Sequence, residues 1–196
     1  MERVLNTIRD FADRAHGAQT RKYTPERYIV HPVRVMELCK QYTSDVSVLA
    51  AALLHDVLED TSVSREEIKN FLMGVMDLAQ TNKTLKLVEE LTDEYIKSKY
   101  PDFNRRARKA KEAERLQQTS ADAQTIKYAD IIDNSREIMT HDPAFGKVFI
   151  RECAFLLQHM NKGNHQLYAL ANETLKKELD EVKDKNRFVK NVPRSR

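Results

Sequence analysis

Val48-Leu49-Ala50-Ala51-Ala52-Leu53-Leu54-His55-Asp56-Val57-Leu58-Glu59-Asp60 is an apolar run of helix formers that ends in four titratable side chains. Alanine and leucine favour the helix strongly, so the run predicts a helix whose C-terminal part carries the cluster. On that helix Glu59 follows His55 by four residues and Asp56 by three, and Asp60 follows Asp56 by four. Such spacings set side chains on one face, a turn apart. Ionised groups beside a core are costly unless something pairs them, and an imidazole next to a carboxylate suits a divalent cation. The same residues also read as a helix end turning from core to solvent, with Glu59 and Asp60 hydrated, because acidic pairs are common at helix ends. The rest of the chain has to separate the two readings.

With 196 residues, four glycines, five prolines and 32% charged residues, the composition points to an all-α protein of roughly eight to ten helices. A single domain over 1–182 is expected, followed by a basic, flexible tail over 183–196 that contains Pro193. No apolar stretch approaches the ~20 residues needed to span a bilayer, so no membrane partner is expected. The N-terminal residues carry an early acid, Glu2, and no apolar core of a signal peptide. Cys39 and Cys153 sit far apart in apolar-periodic segments and read as buried free thiols, consistent with a reducing, cytoplasmic setting. A formal net charge of +3 is too slight to argue for nucleic acid, and nothing in the sequence sets the oligomeric state.

Helical periodicity predicts a first helix from Val4 to His16, closed by Gly17, and a second from Ile29 to Gln41. Asp45 reads as the N-cap of the helix quoted above, and Ser64 with Glu67 as a capping box. Further helices are expected over Leu85–Ile96, Arg105–Gln118, Ala121–Met139, Pro143–Met160 and His165–Val182.

Two residues stand in suspiciously apolar surroundings. His31 lies between Tyr28-Ile29-Val30 and Pro32-Val33, and Asp130 between Ala129 and Ile131. An aspartate there is expensive unless paired or bound to a cation. Asn134, one turn later, shares its face and both donates and accepts hydrogen bonds. A hydrogen-bonded core histidine and a buried ion pair are the alternatives for His31 and Asp130 taken singly.

The order His31 … His55-Asp56 … Asp130 resembles the H…HD…D signature of the HD-domain metal-dependent phosphohydrolases. More narrowly, the chain resembles the hydrolase domain of Rel/Spo-type alarmone enzymes and the small alarmone hydrolases. The matching pieces are Phe11-Ala12 with Ala15-His16, Gln19 with Arg21-Lys22, Tyr28-Ile29 before His31-Pro32, Ala51 to Asp56 running into Glu59-Asp60-Thr61, Val88 to Asp93, and Lys127 to Asp130 with Asn134. They run in order over Leu5 to Asn134. The resemblance implies an HD-domain helical bundle in which His31, His55, Asp56 and Asp130 hold one divalent ion, by family analogy Mn²⁺. It implies that Glu59 and Asp60 position and deprotonate the attacking water, that Arg21 and Lys22 meet the purine and its phosphates, and that Asn134 binds the nucleotide. The implied partner is a small phosphorylated guanine nucleotide, guanosine tetra- or pentaphosphate, cleaved to GDP or GTP and pyrophosphate.

The chain departs from its relatives in three places, one of them the segment Glu94 to Lys111, which is longer than in the small hydrolases. The family usually carries a Gly-Thr-Pro-Tyr type turn with Asn just before His-Pro, where this chain has Tyr23-Thr24-Pro25-Glu26-Arg27-Tyr28-Ile29-Val30. Relatives often place a basic residue and a leucine after the metal-binding aspartate, whereas here Ile131-Ile132-Asp133 follow. An added acid at Asp133 is expected to make the site less welcoming to phosphate. Glu89, Glu90 and Asp93 read as an exposed acidic face, and the basic run from Arg105 to Lys111 as a solvated one. Two other functions therefore stay open: an HD phosphatase acting on the 2′-phosphate of NADPH or on a nucleoside monophosphate, and a helical module that senses nucleotide without turnover.

Overall fold

A computed structural model of the chain describes residues 1–190, with side chains through Glu181. The elements are α1 (Glu2–His16), α2 (Val30–Lys40), α3 (Val46–Leu54), the single turn α4 (Val57–Asp60), α5 (Arg65–Met73), α6 (Leu78–Leu91), α7 (Arg105–Gln118), α8 (Ala121–His141), α9 (Pro143–His159) and α10 (His165–Lys190). Apart from an isolated bridge between Thr20 and Arg27, no strand occurs among the described residues. None of their helices is long and apolar enough to cross a membrane. The backbone of α10 runs eight residues beyond the Val182 end expected from periodicity. The rest of the expected basic tail lies outside the described residues.

α3 is the centre of the bundle. Every residue from Ser47 to Leu54 is buried, as a helix apolar on all sides requires, and α1, α2, α6 and α8 pack around it. Its start is capped by Asp45, whose side chain accepts from the Ser47 N–H at 2.8 Å and pairs with Lys83 of α6.

The far end differs from the sequence expectation. α3 stops at Leu54, and His55-Asp56 form a turn before α4. His55 Nδ1 donates to the Ala52 carbonyl at 2.8 Å, the acceptor that the Asp56 N–H would use in an unbroken helix. Side chains that compete for backbone partners in this way loosen the helical ladder. The cluster is thus divided between a turn carrying His55 and Asp56 and a short helix carrying Glu59 and Asp60.

α6 begins at Leu78, seven residues before its periodicity becomes apolar, because Asp77 and Gln80 form a capping box. Its helix ends at Leu91, so Thr92 to Asn104 is a series of turns. The capping box at Ser64 and Glu67 is present as expected. Cys39 and Cys153 are buried free thiols.

α8 lies against α2, α9 and α10, and its axial position is set by the turn between α9 and α10. The buried Tyr128 hydroxyl donates to the Met160 carbonyl at 2.8 Å. Gln124 Oε1 accepts from the Lys162 N–H at 2.8 Å, and Thr125 Oγ1 from the Asn164 N–H at 2.9 Å. Gly163 fits beneath these groups only because it lacks Cβ: a methyl there would stand 2.5 Å from the Tyr128 ring and 2.8 Å from the Thr125 nitrogen. Gly163→Ala should therefore cost about 1–3 kcal/mol by overpacking, lowering the melting midpoint by several degrees. A midpoint equal to that of the parent would contradict this account of how α8 is seated.

Candidate metal centre and adjoining cavity

Three separate segments bring the sequence candidates together. His31 stands on the first turn of α2, His55 and Asp56 on the turn after α3, and Asp130 in the middle of α8. Ligand atoms of His31, His55 and Asp56 all lie within 4.8 Å of one another. Asp130 Oδ1 stands beside this trio, 3.2 Å from His31 Nε2 and 3.8 Å from His55 Nε2. Asp56 Oδ2 is 3.2 Å from His55 Nε2 and 3.6 Å from His31 Nε2.

These nitrogens decide whether the group suits a cation. Both Nε2 atoms are buried and have no hydrogen-bond partner of good geometry among the described residues, although a carboxylate oxygen lies 3.2 Å from each. Each ring is meanwhile held through its other nitrogen. His31 Nδ1 donates to Asp133 Oδ2 at 2.7 Å, and His55 Nδ1 to the Ala52 carbonyl. Once they give up their protons, two Nε2 atoms beside two carboxylates form a donor set suited to a divalent transition metal.

The electrostatics agree. Burial opposes charge on His55, but the Asp56 and Asp130 carboxylates outweigh it and push the imidazole up to about 10. The same contest raises His31, with Asp130 and Asp133 as its main partners. Burial opposes the charge on Asp130 too, yet Lys127 and the two histidines hold it well below the usual carboxylate range. The cluster is thus balanced by bound protons, with which a cation would compete, since imidazole ligates only when neutral.

Glu59 and Asp60 line a cavity of about 180 Å³ that opens beside Asp56 and Asp130. Glu59 Oε2 accepts from the Asp93 N–H at 3.1 Å. Burial, reinforced by the Asp93 carboxylate, pushes Glu59 up to about 7, a value suited to a general base near neutrality. Two cations face this cavity: Lys127, paired with Asp130 Oδ2 at 2.9 Å, and Lys109, 3.3 Å from Asp93. Asp93 and Lys109, expected on solvated faces, therefore belong to the site. Glu90 instead accepts from the Ser120 N–H and hydroxyl at the start of α8, while Glu89 is exposed and paired with Arg65.

A second cavity of about 280 Å³ adjoins the first at Tyr28 and Asn134. The Tyr28 hydroxyl donates to Asp56 Oδ2 at 2.7 Å, and its ring stacks on His16 at 4.4 Å. Asn134 donates to Asp130 Oδ1 at 2.6 Å and accepts from Arg21 Nη2 at 2.9 Å. Arg21 is 9% exposed and already committed, with Nε bonded to both oxygens of Glu137 at 3.1 Å. Lys22 is exposed, its ammonium 4.9 Å from the Tyr23 ring centre. Asp133, expected to repel phosphate, is neutralised by Arg34 at 2.7 Å. The partnerships of Asp133 and Glu137 join different helices, which is why sequence spacing did not disclose them.

Comparison with known proteins gives the chain a family. The profile of the HD domain family matches residues 9–156. Human guanosine-3′,5′-bis(diphosphate) 3′-pyrophosphohydrolase MESH1 is 35% identical over 133 residues, 66% of each chain. MESH1 of Xenopus tropicalis is 34% identical over 139 residues, 68% of this chain and 69% of that one. The Aquifex aeolicus guanosine-3′,5′-bis(diphosphate) 3′-pyrophosphohydrolase is 48% identical over 60 residues, 31% of this chain. The matched stretch thus spans just under two thirds of the human relative and 8% of the bacterial one. In fold, the chain is similar to a solved structure of a metazoan ortholog of SpoT, with a TM-score of 0.74, 24% identity, and 89% and 94% of the two chains covered. The helical frame is thus shared, and the chain belongs to the HD-domain family as a relative of the MESH1/SpoT-type ppGpp hydrolases.

Proposed function

We propose that the protein is a metal-dependent pyrophosphohydrolase that removes the 3′-diphosphate from guanosine tetra- or pentaphosphate. The observation that carries this reading is the pair of buried, unbonded Nε2 atoms of His31 and His55, facing Asp56 and Asp130 at the edge of a cavity that also holds Glu59. His31, His55, Asp56 and Asp130 would hold the cation, with Mn²⁺ the proposed ion. When bound, that cation lowers the pKa of water and neutralises charge on phosphorus.

The remaining work falls to side chains. Glu59 takes a proton from the attacking water, with Asp60 at the next position orienting it. Water oxygen bonds to the phosphorus attached to the 3′ oxygen, and the bond from that phosphorus to the 3′ oxygen breaks. The 3′ oxygen acquires a proton and leaves as the hydroxyl of GDP or GTP, and pyrophosphate is released. Lys127 and Lys109 offset the phosphate charge on the cavity wall. Tyr28, Asn134 and Lys22 line the neighbouring cavity proposed for the nucleoside.

One observation favours a second reading. The Arg21 guanidinium is held by Glu137 and Asn134, so that pocket offers less free positive charge than a bis-diphosphate would use. A phosphatase acting on the NADPH 2′-phosphate or on a nucleoside monophosphate asks for less. With Mn²⁺ added, guanosine tetraphosphate should yield pyrophosphate faster than NADPH or monophosphates yield phosphate. Phosphate release from the latter alone would overturn the leading assignment, and tight nucleotide binding with no turnover would make the protein a sensor.

Two substitutions separate holding the ion from working the water. Asp56→Ala should leave a purified protein that retains little Mn²⁺ by elemental analysis. Glu59→Gln should keep its Mn²⁺ while kcat falls by about 10²–10⁴-fold, and full activity there would remove Glu59 from the role of base. In the parent enzyme the rate should fall on an acid limb at or below about pH 7, where Glu59 takes up a proton. That limb should vanish from the residual activity of Glu59→Gln.

A further inference from the structure

Asp133 and Glu137 occupy successive turns of one stripe of α8, and Arg34, one turn beyond His31 on α2, reaches both. Arg34 Nε donates to Asp133 Oδ1 at 2.7 Å, and Arg34 Nη2 to Glu137 Oε2 at 3.0 Å. The other oxygen of Asp133 accepts from His31 Nδ1 at 2.7 Å. Glu137 in turn holds Arg21 Nε, Arg21 Nη2 donates to Asn134, and Asn134 donates to Asp130 Oδ1. Asp130 Oδ1 lies 3.2 Å from His31 Nε2, so the contacts close into a ring through His31, Asp133, Arg34, Glu137, Arg21, Asn134 and Asp130.

The ring constrains two groups that the function depends on. Asp133 has a partner on each oxygen, so its carboxylate cannot rotate away without breaking a charge-assisted bond. With Nδ1 bonded to that carboxylate, the His31 ring is held with Nε2 toward Asp56 and Asp130, and its neutral form keeps the proton on Nδ1 and leaves Nε2 free to ligate. Carboxylates behind ligating imidazoles act in this way, setting ring orientation and raising ligand basicity. Arg21, on the far side, is held by the same Glu137 that Arg34 grips.

We propose that Asp133, clamped by Arg34, is a positioning residue for the metal centre, and that Glu137 extends this clamp to Arg21, so that one ring sets both the metal centre and the nucleoside cavity. The inference rests on the metal centre proposed above, and cobalt binding by the unmodified chain tests that centre separately.

The experiment titrates the full chain with Co²⁺, following the visible d–d absorption, with circular dichroism as the control for folding. Asp133→Asn keeps the shape and removes the charge. It should weaken Co²⁺ binding by about 10–100-fold while the helical spectrum is unchanged. Glu137→Gln touches none of the four proposed ligands and should still weaken Co²⁺ several-fold, and also weaken nucleotide binding. Where Asp133→Asn loses its fold, Arg34→Lys takes its place: it keeps the charge but loses the two-pronged grip, and should weaken Co²⁺ several-fold. Parent-like affinity in Asp133→Asn, or in Arg34→Lys where that variant is used, overturns the positioning role. Parent-like affinity in Glu137→Gln overturns the link to Arg21. An unmodified chain that binds no Co²⁺ overturns the metal centre and this inference with it.

Discussion

Two imidazoles and two carboxylates meet at the inner edge of the bundle, and the placing of the surrounding elements follows from keeping them there. Removing such groups from water costs on the order of several kcal/mol per ion, so they persist only with partners. The chain supplies those partners from three directions. α2 brings His31 and Arg34, the turn after α3 brings His55 and Asp56, and α8 brings Lys127, Asp130 and Asp133. α3, buried over its whole length from Ser47, is the post against which the other two are set. Among the described residues neither Nε2 atom has a hydrogen-bond partner of good geometry, and a divalent cation is the partner that would satisfy both.

Much of this was legible from local chemistry. The apolar run before His55 forms a fully buried helix, Asp45 caps it, and Ser64 with Glu67 opens the next as a capping box. These signals lie within a few residues of the structure they cause. The break at His55 was not legible, because it depends on which carbonyl the imidazole takes. The start of α6 carried a readable sign in Asp77 and Gln80, but the polar residues that follow masked it. The partnerships of Asp133, Glu137, Asp93 and Lys109 escaped for a different reason. Each residue owes its place to a partner on another helix or loop, and no spacing along the chain encodes Asp133 meeting Arg34 across 99 positions.

The site divides into two cavities with different chemistry. The one beside Glu59 is walled by carboxylates and by Lys127 and Lys109, a setting for phosphate and water. The one beside Tyr28 is walled by aromatic rings and by an arginine whose charge is already answered by Glu137. The first cavity carries Asp56, Glu59, Asp60 and Asp130, the acids that the H…HD…D resemblance singled out. The second is lined by Tyr23 and Tyr28 of the loop in which this chain departs from its relatives, and is the cavity proposed for the nucleoside.

The account turns on a cation bound between the two imidazoles. Crystals of the protein grown with Mn²⁺, with diffraction collected at the manganese absorption edge, would test this directly. The account predicts one strong anomalous peak within bonding distance of His31 Nε2, His55 Nε2, Asp56 and Asp130, with both imidazoles presenting Nε2. Full occupancy of manganese elsewhere, or a direct hydrogen bond between either Nε2 and a carboxylate in manganese-saturated crystals, would contradict it.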